Sequence, residues 1–310
     1  RAVLLAAMLA SMVGAIALPG AFGGRALLLV TGYVGVQSVR NAFMVLAIDR
    51  DDPLHAPIVR IFVWNAWVGL IWLAGALLDG DARVTVWLVA LALDYGGPFA
   101  GHWTPWLGRS RPTDWHLEPS HFMERIKLFM IIALGESIVV AGATASTLEL
   151  TTPRVAAVVV ALGVTTAFWW LYFDWHADRA LERLQVAGDE RGRLGRDLSY
   201  LHIPFVAGIV VAAVASQLVI AHPGDDLHDG ERLTLAAGPL LYLVGSIGFK
   251  LRVLERLSRT RLTASLLILA VVLATHLPRL ATWTIVLAIL AGVAVVEAAE
   301  RELEPHADVL

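Results

Sequence analysis

The sequence predicts an all-α, polytopic transmembrane helical bundle of about ten spans. Three observations carry that prediction. Apolar residues make up 57% of the 310-residue chain, charged residues 16%, and the mean hydropathy is +0.68; a soluble domain carries about 25% charged residues. The apolar residues fall into runs of roughly 20, the length a helix needs to cross hydrocarbon. Arg and Lys then alternate in density from one connection to the next, as they do in chains that cross a bilayer repeatedly.

Runs bounded by Pro, Gly and charge place the spans at 2–18, 26–48, 57–78, 83–101, 121–146, 153–175, 199–221, 233–250, 262–277 and 280–297. The first has the single charge, apolar core and small residues of a secretory signal. It is read as a true span because a similar apolar run follows at once. The chain opens at Arg1 without an initiator Met, and the expectation is a fragment of a longer protein. In the second span Arg40 and Asn41 interrupt the apolar run, and Arg40 near mid-span needs a carboxylate partner, Asp94 or Glu136. Gly96-Gly97-Pro98 is expected to kink or end the fourth span. The last two spans are separated only by Pro278 and Arg279, which predicts a tight helical hairpin.

One set of alternate connections holds Arg50 and Arg60, then Arg109 and Arg111, then Arg179, Arg183, Arg191, Arg193 and Arg196, then Lys250, Arg252, Arg256, Arg259 and Arg261. The opposite set holds Arg25, Arg83, Arg154, Arg232 and Arg279, one apiece. The basic-rich side is the cytoplasmic one, so both termini are expected there. The segment 178–197 is a charged cytoplasmic linker or surface helix, and the tail ERELEP an exposed helix end. Trp103, Trp106 and Trp115, with Trp169, Trp170 and Trp175, read as an interfacial aromatic belt.

The fifth span carries the densest polar signal, HFMERIKLFMIIALGES from His121 to Ser137. At 100° per residue, His121, Glu124, Arg125 and Glu136 share an arc of about 120°, filled by Leu128, Ile132 and Gly135. The rise from His121 to Glu136 is about 22 Å, so a His121 at the surface sets Glu136 deep in hydrocarbon. A carboxylate there is a candidate cation or proton site, set against a neutral Glu bonded to a neighbouring helix. Gly135, Gly142 and Ser146 are spaced to let another backbone approach. Glu124 and Arg125 form either a snorkelling surface pair or a gate at the mouth of the seam. His121 is a proton shuttle or a helix-start residue.

Elsewhere, Asp94 stands just ahead of the Gly-Gly-Pro break, where transporters build midplane sites. Asp174 reads as interfacial. His202 before Pro204 and His276 before Pro278 are metal or haem ligands, or satisfied polar groups. Cysteines are absent, which excludes disulfides, thiolate nucleophiles and Cys-ligated metals. No zinc-protease motif, nucleophile elbow or P-loop occurs, and a net charge of −3 without a basic aromatic run gives no footprint for nucleic acid.

Taken in order, HFMERIKLFMIIALGES, LALDYGGP, FWWLYFDWH and YLHIPFVAGIV resemble the bacterial low temperature requirement A family over essentially the whole chain. The resemblance implies a multi-pass bacterial inner-membrane protein associated with growth in the cold, without a defined reaction or cofactor. It also implies a further N-terminal pair of spans, with an F-F-D-L-V-F-like motif and a Trp-rich helix, that this sequence does not contain. The leading functional expectation is a transporter or channel-like protein for a small solute or ion, embedded in the lipid bilayer, with Glu136 and Asp94 as the candidates for proton coupling. In that reading Ser137, Arg40, Asp174 and His202 line the pathway, and His121, Glu124 and Arg125 its mouth. The alternatives are an intramembrane haem or metal redox enzyme using His121, His202 and His276, and a non-catalytic component supporting growth in the cold.

Overall fold

The apolar runs fold as helices, the arrangement in which a backbone away from water bonds to itself. The computed structural model describes residues 2–115, 117–174, 176–274 and 276–303, the last three of these by backbone alone. Among them the chain forms eleven α-helices, divided between two units, Arg1–His116 and Leu117–Leu310. Seven helices are long and apolar enough to cross a membrane by length and composition.

The first unit holds α1 (Ala2–Ala17), α2 (Ala26–Ala47), α3 (His55–Ala76) and α4 (Gly80–Gly96). Helices α1 and α2 touch backbone to backbone: a Cβ on Gly32 would lie 2.9 Å from the Ala10 carbonyl oxygen and the Gly14 nitrogen. Helix α4 ends at Gly96, at the predicted break. The chain beyond folds into a tight loop over 97–111. Gly101 and His102 take left-handed φ values of 62° and 49° there, and Ser110 N–H bonds the Gly101 carbonyl at 2.8 Å. Arg60 of α3 pins this loop, donating to the Leu107 carbonyl at 2.7 Å and Ser110 Oγ at 3.3 Å.

The second unit holds α5 (Pro119–Ser146), α6 (Thr152–Phe173), α7 (His176–Val186), α8 (Arg191–Ala221), α9 (Asp229–Leu254), α10 (Arg259–Ala274) and α11 (Arg279–Leu303). The predicted linker at 178–197 contains α7, an amphipathic helix whose Ala177, Ala180 and Leu184 are buried. The closest packing is between α8 and α9. A Cβ on Gly238 would sit 2.7 Å from the Ala212 backbone nitrogen, and one on Gly208 would press on the backbone of Tyr242. At Gly135 and Gly142 an added Cβ meets open space, so the small-residue spacing expected to bring a neighbour onto α5 is used on α8 and α9 instead. Helices α10 and α11 follow one another closely, and at the start of α11 the Arg279 and Leu280 N–H groups bond the Asp225 and Pro223 carbonyls of the α8–α9 connection at 3.0 Å each.

The sparse set of arginines has a structural role. Arg25 donates to the Ile16 carbonyl, Arg83 to those of Leu78 and Gly23, Arg154 to Glu149, and Arg232 to Val272. These carbonyls lie at or just past the C-terminal ends of α1, α3, α5 and α10, plus the α1–α2 turn, where backbone acceptors have no helical partner and the helix dipole favours a cation. Arg279 instead forks onto Glu231 at 2.7 and 2.8 Å. The Trp175 and ERELEP expectations fall wholly or partly on residues outside the described set.

Candidate functional site

In the first unit a polar chain runs through otherwise apolar helices. Asp94 of α4 accepts from Trp72 Nε1 of α3 at 2.7 Å and from Tyr33 Oη of α2 at 2.9 Å, both on Oδ2. Gln37 Nε2, one turn along α2, donates to Tyr33 Oη at 3.4 Å, and Arg40 donates to Gln37 Oε1 at 2.6 Å. The i, i+4 and i, i+3 spacing of Tyr33, Gln37 and Arg40 puts them on one face of α2. Tyr33 stands two turns inside α2 and Trp72 one turn inside α3, so the carboxylate meets them away from the helix ends. Among the described residues Oδ1 receives no hydrogen bond. The carboxylate partner expected for Arg40, Asp94 or Glu136, is not found among the described residues: Arg40 is exposed and donates to Gln37 instead. Gln37 and Arg40 do not hand on protons at ordinary pH, so the chain orients Asp94 and is not a proton wire.

The second unit encloses a denser ionic cluster. Arg261, in the first turn of α10, is fully buried. It forks onto Glu297 of α11 through Nε at 2.8 Å and Nη2 at 2.7 Å, while Lys250 of α9 donates to the same carboxylate at 2.7 Å. Arg261 Nη1 lies 2.9 Å from His176 Nε2 at the start of α7, and Ser246 Oγ lies 3.1 Å from the same nitrogen. A guanidinium can only donate, so His176 Nε2 carries no proton in this arrangement. Beside it, His202 bonds Tyr172 Oη through Nε2 at 2.9 Å and the Leu198 carbonyl through Nδ1 at 2.6 Å. Phe205 and Phe249 pack edge-on around these rings. Helices α7, α9, α10 and α11 are thus tied through one buried carboxylate.

The α5 stripe is laid out as its spacing predicts, on one face, but that face is uncovered. His121, Glu124, Arg125, Leu128, Ile132 and Glu136 are exposed, and Ser137, one residue on, is buried in the packed face with Met130, Ala133 and Leu134. Burial of Glu136 against other helices of this chain is therefore not observed, because α5 turns its small and sulfur-bearing residues inward toward α6 and α8. His121 Nδ1 and Glu124 Oε2 are 3.7 Å apart, both largely exposed, a pair worth under about 1 kcal/mol. Glu118, outside the span, caps α5 by accepting from His121 N–H at 2.6 Å, and that backbone bond holds its carboxyl below the usual range. Asp174 is the exposed C-cap of α6. His276 is exposed, His202 has both ring nitrogens engaged, and no group of three or more His, Asp or Glu able to hold a metal occurs among the described residues.

The groups that composition did not single out are Tyr33, Gln37 and Trp72 around Asp94, and Glu297, Arg261, Lys250 and His176 in the second unit. Arg261 and Lys250 were legible as orienting charges only. Glu297 ends the last apolar run, one acid in an Ala- and Val-rich stretch, and that isolation was the available signal.

A model of the family described as bacterial low temperature requirement A protein (LtrA) matches residues 1–295. The chain belongs to this family. Within curated proteins, the LtrA chain is similar to an uncharacterised protein of Rhizobium meliloti (strain 1021), 34% identical over 253 residues, which cover 81% of this chain and 61% of that protein. It thus spans about three fifths of that relative's length. No solved structure matches it.

Proposed function

We propose that this LtrA protein is a multi-pass protein of the bacterial inner membrane, with both termini on the cytoplasmic side, that moves a small solute or ion. Asp94 is the binding carboxylate in this reading. The observation that carries it is the geometry at Asp94: a carboxylate in the last turn of α4, held on one oxygen by Tyr33 and Trp72, which stand one to two turns inside their own helices, with the other oxygen left to a visitor. Ionisable groups within spans mark substrate, ion and proton pathways. In the second unit Glu136, on the uncovered face of α5, is a separate candidate carboxylate, with His121, Glu124 and Arg125 on the same face. The Glu297 cluster serves a different purpose: its carboxylate is saturated by two cations and holds the second unit together.

The test is flux in proteoliposomes carrying the full chain under an imposed ion or pH gradient. Flux that falls at least tenfold in Asp94→Asn supports the reading. Flux indistinguishable from empty vesicles, or unaltered in both Asp94→Asn and Glu136→Gln, overturns it.

A further inference from the structure

The surroundings of Asp94 narrow what can visit it. Resting on the reading of Asp94 as the binding carboxylate, we infer that the site receives an organic ammonium group bearing an apolar substituent. Four features converge on that class.

A carboxylate set among apolar helices calls for a cation, and among the described residues none reaches it. Arg40 is spent on Gln37 at 2.6 Å, and the groups that touch the carboxylate, Tyr33 and Trp72, are neutral. A hard metal ion is a poor match, because calcium takes six to eight oxygen ligands and magnesium demands an octahedron of them. Here one carboxylate oxygen and one phenol oxygen converge. An ammonium asks for less: one anion, and aromatic faces to share its charge.

Aromatic rings are present beside the carboxylate. Tyr33 and Trp72 meet edge to face with centroids 5.5 Å apart, and Trp72 lies 5.8 Å from Trp87. Trp87 already carries a cation, the Arg83 guanidinium 5.9 Å from its centroid, so this aromatic group tolerates positive charge. Finally, Tyr33 is also among the residues that line an apolar groove of about 260 Å³ between α1 and α2, together with Gly14, Gly32 and Val36. The residue that donates to the anion thus also borders a hydrocarbon-lined hollow. A head group at Asp94 can therefore place an apolar substituent against Tyr33.

The experiment is isothermal titration calorimetry of the full chain in nanodiscs with benzyltrimethylammonium. Neopentylbenzene serves as its uncharged isostere and tetramethylammonium as the cation without the ring. Saturable one-site binding of benzyltrimethylammonium is expected, at least tenfold weaker in Asp94→Asn. Tetramethylammonium should bind at least tenfold more weakly, and the neutral isostere should not compete. Trp72→Phe keeps the carboxylate while removing one donor, and an intermediate affinity is expected; it guards against a misfolded Asp94→Asn. Absence of binding to the parent chain overturns the inference, as does equal binding in Asp94→Asn or equal binding of the neutral isostere. Flux measured in parallel separates the two readings. Asp94-dependent flux without ammonium binding removes the substrate class and keeps transport; ammonium binding without flux removes transport and keeps the site.

Discussion

Replacing Glu297 with Gln should be among the most damaging single-atom-scale changes available in this chain. The substitution preserves side-chain volume, so no cavity contributes. What it removes is the negative charge facing Arg261 and Lys250, which approach at 2.7–2.8 Å with the Arg261 side chain fully buried. Breaking a buried ion pair by neutralising one partner costs about 3–5 kcal/mol, because the remaining charge is stranded in a medium that solvates it poorly. Here two cations are stranded, and the new amide N–H₂ points donors at donors. A loss in the upper part of that range is expected. Removing all three charges with apolar groups, as in Lys250→Met/Arg261→Met/Glu297→Leu, should restore much of it, since buried ion pairs exchanged for hydrocarbon are often neutral in stability. The measurement is unfolding by SDS titration in mixed micelles, followed by circular dichroism. A Glu297→Gln variant within about 1 kcal/mol of the parent, or a triple variant less stable than the single one, would refute the argument that charge stranding dominates at this cluster.

Gly208→Ala should destabilise the second unit by about 1–3 kcal/mol through overpacking, since the added methyl presses on the α9 backbone at Gly238 and Tyr242. Gly135→Ala, with open space around its Cβ, should instead be neutral or stabilise by about 0.4–1 kcal/mol; the same SDS titration compares them. Arg83→Met should cost about 1–3 kcal/mol by orphaning the Leu78 and Gly23 carbonyls, with little of that loss coming from the exposed Asp79, so Asp79→Asn should be nearly silent in thermal unfolding. His102, packed on Trp64 in the loop after α4, is pushed down to about 4 by burial. The unfolded loop binds its proton near pH 6.5 and the folded loop only near pH 4, so loop stability is full above about pH 6.5 and declines as pH falls between those values. The protection factor of the Ser110 amide, its intrinsic exchange rate at each pH divided by the observed one, should fall across that window in the parent and not in His102→Gln.

The positions of the long helices were legible in the sequence because an apolar backbone segment must satisfy its own hydrogen bonds, so apolar runs and helices nearly coincide. Pro and Gly ended α4 where their chemistry requires, and the single-face arrangement of His121, Glu124, Arg125 and Glu136 follows from helical periodicity alone. Which way that face turns does not. Periodicity fixes angles between residues of one helix but carries no information about where its neighbours stand. The packed side of α5 was decided by the shapes of Met130, Ala133, Leu134 and Ser137 against α6 and α8. The pairing of Arg261 with Glu297 joins residues far apart in the chain, and nothing local ties one to the other. The sequence by itself determined that this LtrA protein is all-helical, with long apolar helices that carry isolated charged residues. Only the tertiary structure decided which charge meets which, because electrostatic pairing depends on distances of a few ångströms between helices that the sequence lists one after another.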